Sequence, residues 1–369
     1  MKSQDNSKIE ELENLNINTT YLRKNAENFS LAPKGQEQDI EFNKCNYYTD
    51  RKANISAQYI VHTYSVGTLE NTLAKMVLAE DQNITLTRGS GVSVHYVIDM
   101  DGTIYPLVPD NKKPWATGVG NLTSKSTLNH NIEAIKNDMN NFCIAIMSIN
   151  DGKSPLTQKQ YESNLKLTSH LVETHHINPE QVIALADWAP GRHIAPGPYF
   201  PWGNFAKNGI GLWADIERKK DPEVIVSYKQ KPISEEVEHI QQALQELSQK
   251  YSTGNNLSEV VKQYCQTSKS FKEEFSAARI KDIDSQLTNG LGMVGIPNEK
   301  DYEGHLGSAT LSEMLCFNLH HLGEQIINSP LQQVYDQGLW KDSSDSEARG
   351  LLGEWNANSQ SILDAILDS

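Results

Sequence analysis

Residues 183–202, which read IALADWAPGRHIAPGPYFPW, form the most informative stretch of this chain. The apolar run at 182–185 is typical of the end of a buried strand. The proline and glycine residues that follow indicate an ordered loop rather than a helix or another strand. Arg192 and His193 lie in the middle of this loop. Because binding and catalytic groups concentrate on loops held by a rigid scaffold, both side chains are candidate functional residues.

Strand-like and helix-like segments alternate around this loop and predict an α/β fold with a central mixed sheet flanked by helices. Segments rich in β-branched and aromatic residues, or continuously apolar, are expected to form the strands. The predicted strands lie at residues 58–65, 92–98, 103–108, 142–149 and 182–185. Apolar residues at helical spacing predict helices at 68–79 and 157–175, with Thr68 and Thr157 as their caps.

The loop at 185–198, LADWAPGRHIAPGP, resembles the signature of the zinc-dependent N-acetylmuramoyl-L-alanine amidases of the AmpD/AmiD type. That family pattern is roughly H-x-D-I-A-P-x-R-K-x-D-P-G-P. VSVHYVI at 92–98 and WATG at 115–118 are similar to further family segments in the same order. The resemblance implies the fold shared with peptidoglycan recognition proteins. It also implies zinc as cofactor and a peptidoglycan fragment as substrate.

The residues that carry the chemistry of the family differ in this chain. At the family's zinc-ligand positions stand Thr63, Leu185 and Ala195, and at its catalytic glutamate position stands Met147. A catalytic zinc site needs three protein ligands and an open position for water, and a nearby carboxylate then moves protons. We therefore expect no metal and no catalytic residue at these positions, so that the fold is kept without its chemistry.

Histidines close to these positions leave an alternative open. His62 precedes Thr63, and successive strand side chains point to opposite faces, so His62 is predicted to point into the layer behind. His193 stands at the family's lysine position and is the replacement that could still donate a proton. A new active site built from His62, His95, Asp187, His193 or Cys143 is a second hypothesis.

The function expected from these observations is that of a catalytically inactive, amidase-like protein that binds a peptidoglycan-type glycopeptide, a peptide or a protein segment. The candidate residues of the former substrate groove are Tyr64, His95, Trp115, Arg192 and His193. One alternative is an active amidase or related peptidoglycan hydrolase with an atypical site, for which zinc would be expected. Another is a secreted effector that acts on a host target.

The composition indicates more than one domain. The chain has 369 residues and a net charge of −14, and residues 221–369 contain 11 basic and 23 acidic side chains. The predicted parts are a polar N-terminal arm at 1–40, an amidase-like domain at 41–220, and an acidic, mainly helical domain at 221–369. An acidic chain repels phosphate backbones, so nucleic acid is not an expected partner.

Targeting signals are not evident in the sequence. No apolar run is long enough for a transmembrane helix, and the polar N-terminus does not resemble a secretory signal peptide. A cytoplasmic location, or export without an N-terminal signal, is therefore expected. The four cysteines are far apart and show no zinc-finger spacing, so we expect buried free thiols.

Overall fold

The structure is a computed structural model. It describes residues 20–22, 39–41, 47–77, 92–118, 139–189, 193–227, 234–253, 308–323 and 354–369. The chain forms two compact units. The first comprises residues 1–116 and 140–177, and the second comprises residues 117–139 and 178–369. The predicted domain boundaries near residues 40 and 220 stay predictions.

The first unit contains most of the predicted α/β elements. In chain order they are β1 (Thr20–Leu22), β2 (Asp39–Glu41), β3 (Tyr48–Asp50), β4 (Tyr59–Ser65), α1 (Leu69–Val77), β5 (Tyr96–Ile98), β6 (Ile104–Pro106), β7 (Lys112–Pro114), α2 (Met139–Phe142), β8 (Cys143–Ile149) and α3 (Gln158–His175). Two short antiparallel pairs, β1 with β2 and β3 with β7, accompany the main sheet.

The main sheet is mixed, as predicted. Within the first unit its strands lie in the order β6–β5–β8–β4. β8 pairs in parallel with β4 on one side and with β5 on the other, whereas β5 and β6 form an antiparallel hairpin. β8 is apolar nearly throughout, which suits a strand that has neighbours on both edges. Pro106 lies on the outer strand β6, where a missing N–H is tolerated.

Helix α1 follows the sequence prediction closely. Leu69, Leu73 and Met76 are buried at i, i+4 and i+7, so one face of the helix packs inward. The Thr68 hydroxyl accepts a hydrogen bond from the Asn71 backbone N–H at 3.2 Å, which satisfies one donor of the first turn. Thr157 caps α3 in the same way, through the N–H of Gln160.

The buried face of α3 is rotated relative to the apolar stripe in its sequence. Gln160 and Asn164 are buried, whereas Tyr161 and Leu165 are only half-buried. The Gln160 amide donates to the carbonyls of Ile98 and Ile149, both at 3.1 Å. Buried polar groups are tolerated where they bond to otherwise unpaired carbonyls, so these bonds to strand ends outweigh the simple apolar pattern.

His62 lies on the sheet face that packs against α3, as strand alternation predicted. Its ring is fully buried, and its Nε2 lies 3.2 Å from the Thr168 hydroxyl. Burial lowers the pKa of His62 from 6.5 to about 3, because charging the ring inside the protein would cost its hydration. The imidazole is therefore neutral at physiological pH and serves packing in this layer.

The second unit contains a further strand and the C-terminal helices. In chain order its elements are β9 (Val182–Ala184), α4 (Leu185–Trp188), α5 (Trp202–Ala206), β10 (Val224–Val226), α6 (Glu235–Thr253), α7 (Ser308–His321), β11 (Trp355–Asn356) and α8 (Ala357–Asp368). Helices predominate in the described part of 221–369, which confirms that prediction. Within 221–369 the sequence also predicts helical segments at 257–266, 271–283 and 331–339, and these lie outside the described residues.

Two features of this unit bear on the sequence predictions. One apolar face of α6 is predicted by the helical spacing of Val237, Ile240, Leu244 and Leu247, and all four side chains are buried. β10 and β11 form a short antiparallel pair that the sequence did not predict, since its two strands are far apart along the chain.

Within the described residues, no helix is long and apolar enough to cross a membrane.

Substituting Gly102 tests the packing of the β5–β6 turn on α3. Gly102 has φ +86°, and a Cβ there would lie 2.8 Å from the Lys159 carbonyl oxygen and 2.9 Å from the Ser163 hydroxyl. Gly102→Ala should lower the free energy of unfolding by about 1–3 kcal/mol, measured by urea denaturation. Gly67→Ala is the matched control, because Gly67 also has a positive φ but no atom within 4 Å of the added carbon. Equal losses in both variants would show that the close approach to α3 is unimportant.

His62 should make stability depend on pH. Its pKa is about 3 in the folded protein, against 6.5 ordinarily, so only the unfolded chain binds a proton between those values. Stability should therefore be full above pH 6.5 and fall as pH decreases towards 3. Between pH 7 and 5 the loss should be about 2 kcal/mol larger for the wild type than for His62→Gln, measured by urea denaturation. Replacing the exposed His176 by Asn controls for removal of an imidazole. Parallel pH profiles for wild type and His62→Gln would contradict the assignment.

Candidate functional site

The central strands bring two of the predicted site positions side by side. Thr63 on β4 and Met147 on β8 are register partners. Partners on neighbouring parallel strands point to the same face, and this face is opposite to that of His62. Thr63 is buried and Met147 is half-buried. This face therefore presents a neutral hydroxyl and a thioether at the positions that the resemblance gives to a zinc ligand and to the catalytic glutamate.

His95 has a structural role in the first unit. It is fully buried, and its Nδ1 accepts a hydrogen bond from the Ala145 backbone N–H at 3.0 Å. Nε2 therefore carries the proton and donates to the Lys112 carbonyl at 3.2 Å. Burial, together with the nearby Arg51 guanidinium, lowers the pKa of His95 to about 3. The expectation that His95 lines a ligand groove is corrected by this geometry, because both ring nitrogens are used inside the fold.

Arg51 is a structural residue that sequence reasoning did not single out. Its guanidinium donates to the carbonyls of Asn141 at 2.7 Å, Cys143 at 2.8 Å, Asp110 at 3.0 Å and Asn140 at 3.2 Å. It thereby connects the segment before β4, the β6–β7 loop and the start of β8. The sequence shows only that Arg51 precedes the first core strand, and this position does not identify its distant backbone partners.

Asp110 forms a second polar centre in this unit. Its carboxylate accepts from the Tyr96 hydroxyl at 2.7 Å and from His175 Nε2 at 2.8 Å. Burial alone would raise the pKa of Asp110, but the hydrogen bonds from His175 and Tyr96 lower it to about 2. His175 is the last residue of α3. The structure gives it a specific carboxylate partner.

Trp115 provides an aromatic surface in the first unit. Its side chain is 37% exposed, and its ring centroid lies 5.6 Å from that of Tyr47. Its backbone is held firmly, because its N–H donates to the Ser93 hydroxyl at 2.9 Å and its carbonyl accepts from the Ser93 N–H at 3.2 Å. Tyr64, at the end of β4, is half-buried. An exposed indole on a fixed backbone is suited to contact with a ligand.

In the second unit, Leu185 and Ala195 are both buried. The Ala186 N–H donates to the Ala195 carbonyl at 2.9 Å, which closes the loop between them. His193 is half-buried, and its N–H donates to the Ala189 carbonyl at 3.0 Å. These contacts involve backbone groups, and the side chains of Leu185 and Ala195 offer no lone pair to a metal.

Two hydrogen-bond donors hold the Asp187 carboxylate in place. Its Oδ2 accepts from the Ala184 N–H and from His320 Nδ1, both at 2.8 Å. Arg192 lies outside the described residues. Cys143 is a fully buried thiol inside β8, the environment of an unreactive cysteine.

The residues at the positions that the resemblance gives to the zinc ligands, Thr63, Leu185 and Ala195, do not suit a divalent ion. A hydroxyl and two aliphatic side chains cannot replace the hydration shell of a divalent ion. Across the ranges that the structure describes, no three His, Cys, Asp or Glu side chains are grouped so that they could hold a metal ion.

Comparison with known proteins identifies related sequences. Residues 34–198 match the family described as N-acetylmuramoyl-L-alanine amidase. N-acetylmuramoyl-L-alanine amidase AmiD of Escherichia coli is 29% identical over 145 residues, which cover 37% of this chain and 52% of AmiD. 1,6-Anhydro-N-acetylmuramyl-L-alanine amidase AmpD of Haemophilus influenzae is 29% identical over 31% of this chain and 56% of AmpD. The chain thus spans about half the length of these two relatives.

Solved structures of similar proteins include AmiD from E. coli in complex with anhydro-N-acetylmuramic acid-L-Ala-D-γ-Glu-L-Lys. The match with this structure has a TM-score of 0.47 and 19% sequence identity, and it covers 92% of this chain and 96% of AmiD. AmpDh3 from Pseudomonas aeruginosa has a TM-score of 0.43 and 15% identity, and it covers 84% of this chain and 90% of AmpDh3. On the sequence match, residues 34–198 of this chain are similar to the N-acetylmuramoyl-L-alanine amidase family.

Proposed function

We propose that this chain is a catalytically inactive amidase-like protein that binds a muramoyl peptide. The observation that carries the proposal is the Thr63–Met147 pair. If the family frame holds, these register partners occupy the first zinc-ligand position and the catalytic glutamate position. Neither side chain can be a general base, and neither carries a charge that would favour a metal.

The remaining family positions support the same proposal. Leu185 and Ala195, at the other two ligand positions, are buried and have no donor atom. The nearest imidazole in sequence, His62, faces α3 and is neutral through burial. Metal-activated water and proton transfer by a carboxylate would both be missing.

Binding would depend on groups other than a metal. The exposed face of Trp115 offers apolar contact to a sugar or to a peptide side chain. Tyr64, His193 and Arg192 are proposed as polar contributors. His95 is withdrawn from this set because both of its ring nitrogens are bonded within the fold. Similarity to the family supports a peptidoglycan fragment as the ligand, and it equally favours the rival in which the chain is an active amidase.

A binding and turnover experiment separates these two functions. The probe is anhydro-N-acetylmuramic acid-L-Ala-D-γ-Glu-L-Lys, the ligand in the AmiD complex. Calorimetry with the full chain should detect binding, and product analysis in excess zinc should detect no hydrolysis above a Thr63→Val control. Trp115→Ala should weaken binding about tenfold, the loss of one aromatic contact. Met100→Ala removes another exposed apolar side chain of the same unit and should leave binding unchanged.

The outcomes are distinct. Hydrolysis above the control would establish the rival enzyme, and about one tightly bound zinc per purified chain would overturn the proposal of an inactive, metal-free site. Absence of binding with and without zinc would refute the proposed ligand.

Restoring the family's residues tests whether the four substituted positions correspond to the zinc ligands and the catalytic glutamate of the family. The variant carrying Thr63→His, Leu185→His, Ala195→Asp and Met147→Glu should bind about one zinc per chain, measured by elemental analysis after dialysis. The same variant with Ala195 retained is the control, because it lacks one ligand and should lose most of the metal. If the fourfold variant binds no zinc, the assignment of the four positions is wrong, and the inference of lost chemistry fails with it.

A further inference from the structure

Helix α7 contacts the Leu185–Pro198 region along one of its faces. We refer to residues 185–189 and 193–198, the described parts of that region, as the signature loop, which includes the short helix α4. Cys316, His320 and Gly323 are spaced i, i+4 and i+7, which places them on one side of the helix and its C-terminal extension. Each of them contacts the signature loop at a different residue, so the helix lies along the loop rather than touching it at one point.

The strongest of these contacts is between His320 and Asp187. His320 Nδ1 donates to Asp187 Oδ2 at 2.8 Å, and the same oxygen accepts from the Ala184 N–H at 2.8 Å. One carboxylate oxygen therefore joins the end of β9 to α7. Hydrogen bonds to a buried carboxylate are stronger than those between neutral groups, so this junction should resist local opening.

Aromatic rings hold His320 in this position. Its ring is stacked on Trp202 with a centroid distance of 4.1 Å and on His321 at 4.4 Å. Its side chain is 1% exposed. Within the described residues, Nε2 has no hydrogen-bond partner, so the hydrogen bond that His320 contributes through its ring is the one to Asp187. A phenylalanine could keep the stack and would remove only that bond.

The other two contacts are closer to the backbone. The Cys316 thiol lies 3.8 Å from the His193 carbonyl, a weak S–H contact. At Gly323 the chain approaches Pro198 so closely that a Cβ would lie 2.2 Å from the Pro198 carbonyl oxygen. Only glycine fits this approach without a shift of the backbone.

We propose that α7 holds the signature loop in its conformation, in the role that a bound metal would otherwise have, with His320 as the positioning residue. In a zinc site, ligation fixes the segments that supply the ligands. Here Leu185 and Ala195 would be fixed by a carboxylate–imidazole hydrogen bond and a glycine contact from the C-terminal part of the chain. The inference rests on the proposed function, because it assumes that no metal orders the loop.

Amide hydrogen exchange of the full chain, without added glycopeptide, tests this inference. The reporters are the Ala184, Ala186 and His193 amides, which donate to Asp187, to Ala195 and to Ala189. His320→Phe should speed exchange in peptides covering 184–198 by about tenfold, the scale of one lost charge-assisted bond. Gly323→Ala should act on the same peptides, because its Cβ must push the two segments apart. His239→Phe, on the exposed side of α6, is the matched control and should change nothing.

Three results would overturn the proposal. The first is unchanged exchange of these peptides in both variants. The second is an equal rise in α6 and α8, which would mean that His320 supports the whole unit rather than the loop. The third is faster exchange in the wild type after chelation by EDTA, which would mean that a metal orders the loop. If the loop behaves as expected and no glycopeptide binds, only the proposed ligand is refuted.

Discussion

The parallel pairing of β4 with β8 determines which side chains can meet in the first unit. The register runs without a break from Tyr59 opposite Cys143 to Ser65 opposite Ile149. Because alternate side chains point to opposite faces, this register directs His62 towards α3 and leaves Thr63 beside Met147. A slip of one residue would bury Thr63 against α3 and expose an imidazole on the other face. The availability of a histidine for chemistry is therefore decided by register and not by composition.

Side chains bonded to backbone groups order both halves of the amidase-like region. In the first unit the Arg51 guanidinium connects four carbonyls from segments that are distant in sequence. In the second unit the Asp187 carboxylate accepts two hydrogen bonds, from the Ala184 N–H and from His320. Each arrangement satisfies buried polar groups that would otherwise be costly. Neither leaves its charged group free to take part in a reaction.

The sequence predicts the local parts of this structure well and its long-range contacts poorly. The strands, the caps at Thr68 and Thr157 and the buried face of α6 follow from periodicity and short-range hydrogen bonds. The face of α3 was predicted only in part: Thr168 and Leu171 are buried, but Gln160 is buried as well because it bonds to strand ends that the helical pattern does not contain. The His320–Asp187 contact could not be predicted, since nothing in either segment identifies a partner so distant along the chain.

The long stretch of sequence between β4 and β8 affects how the chain folds. Residues 59 and 143 must come together for β4 to pair with β8, so the intervening chain has to close into a loop. Closing this loop costs conformational entropy before the pairing can stabilise the fold. Until then FCIAIMSI is an uncharged apolar segment without proline, the type that associates with other chains. Folding should therefore be slow relative to helical proteins of similar size, and its yield should fall as protein concentration rises. Early formation of the local α1 and α3 helices would shorten the period during which β8 is exposed.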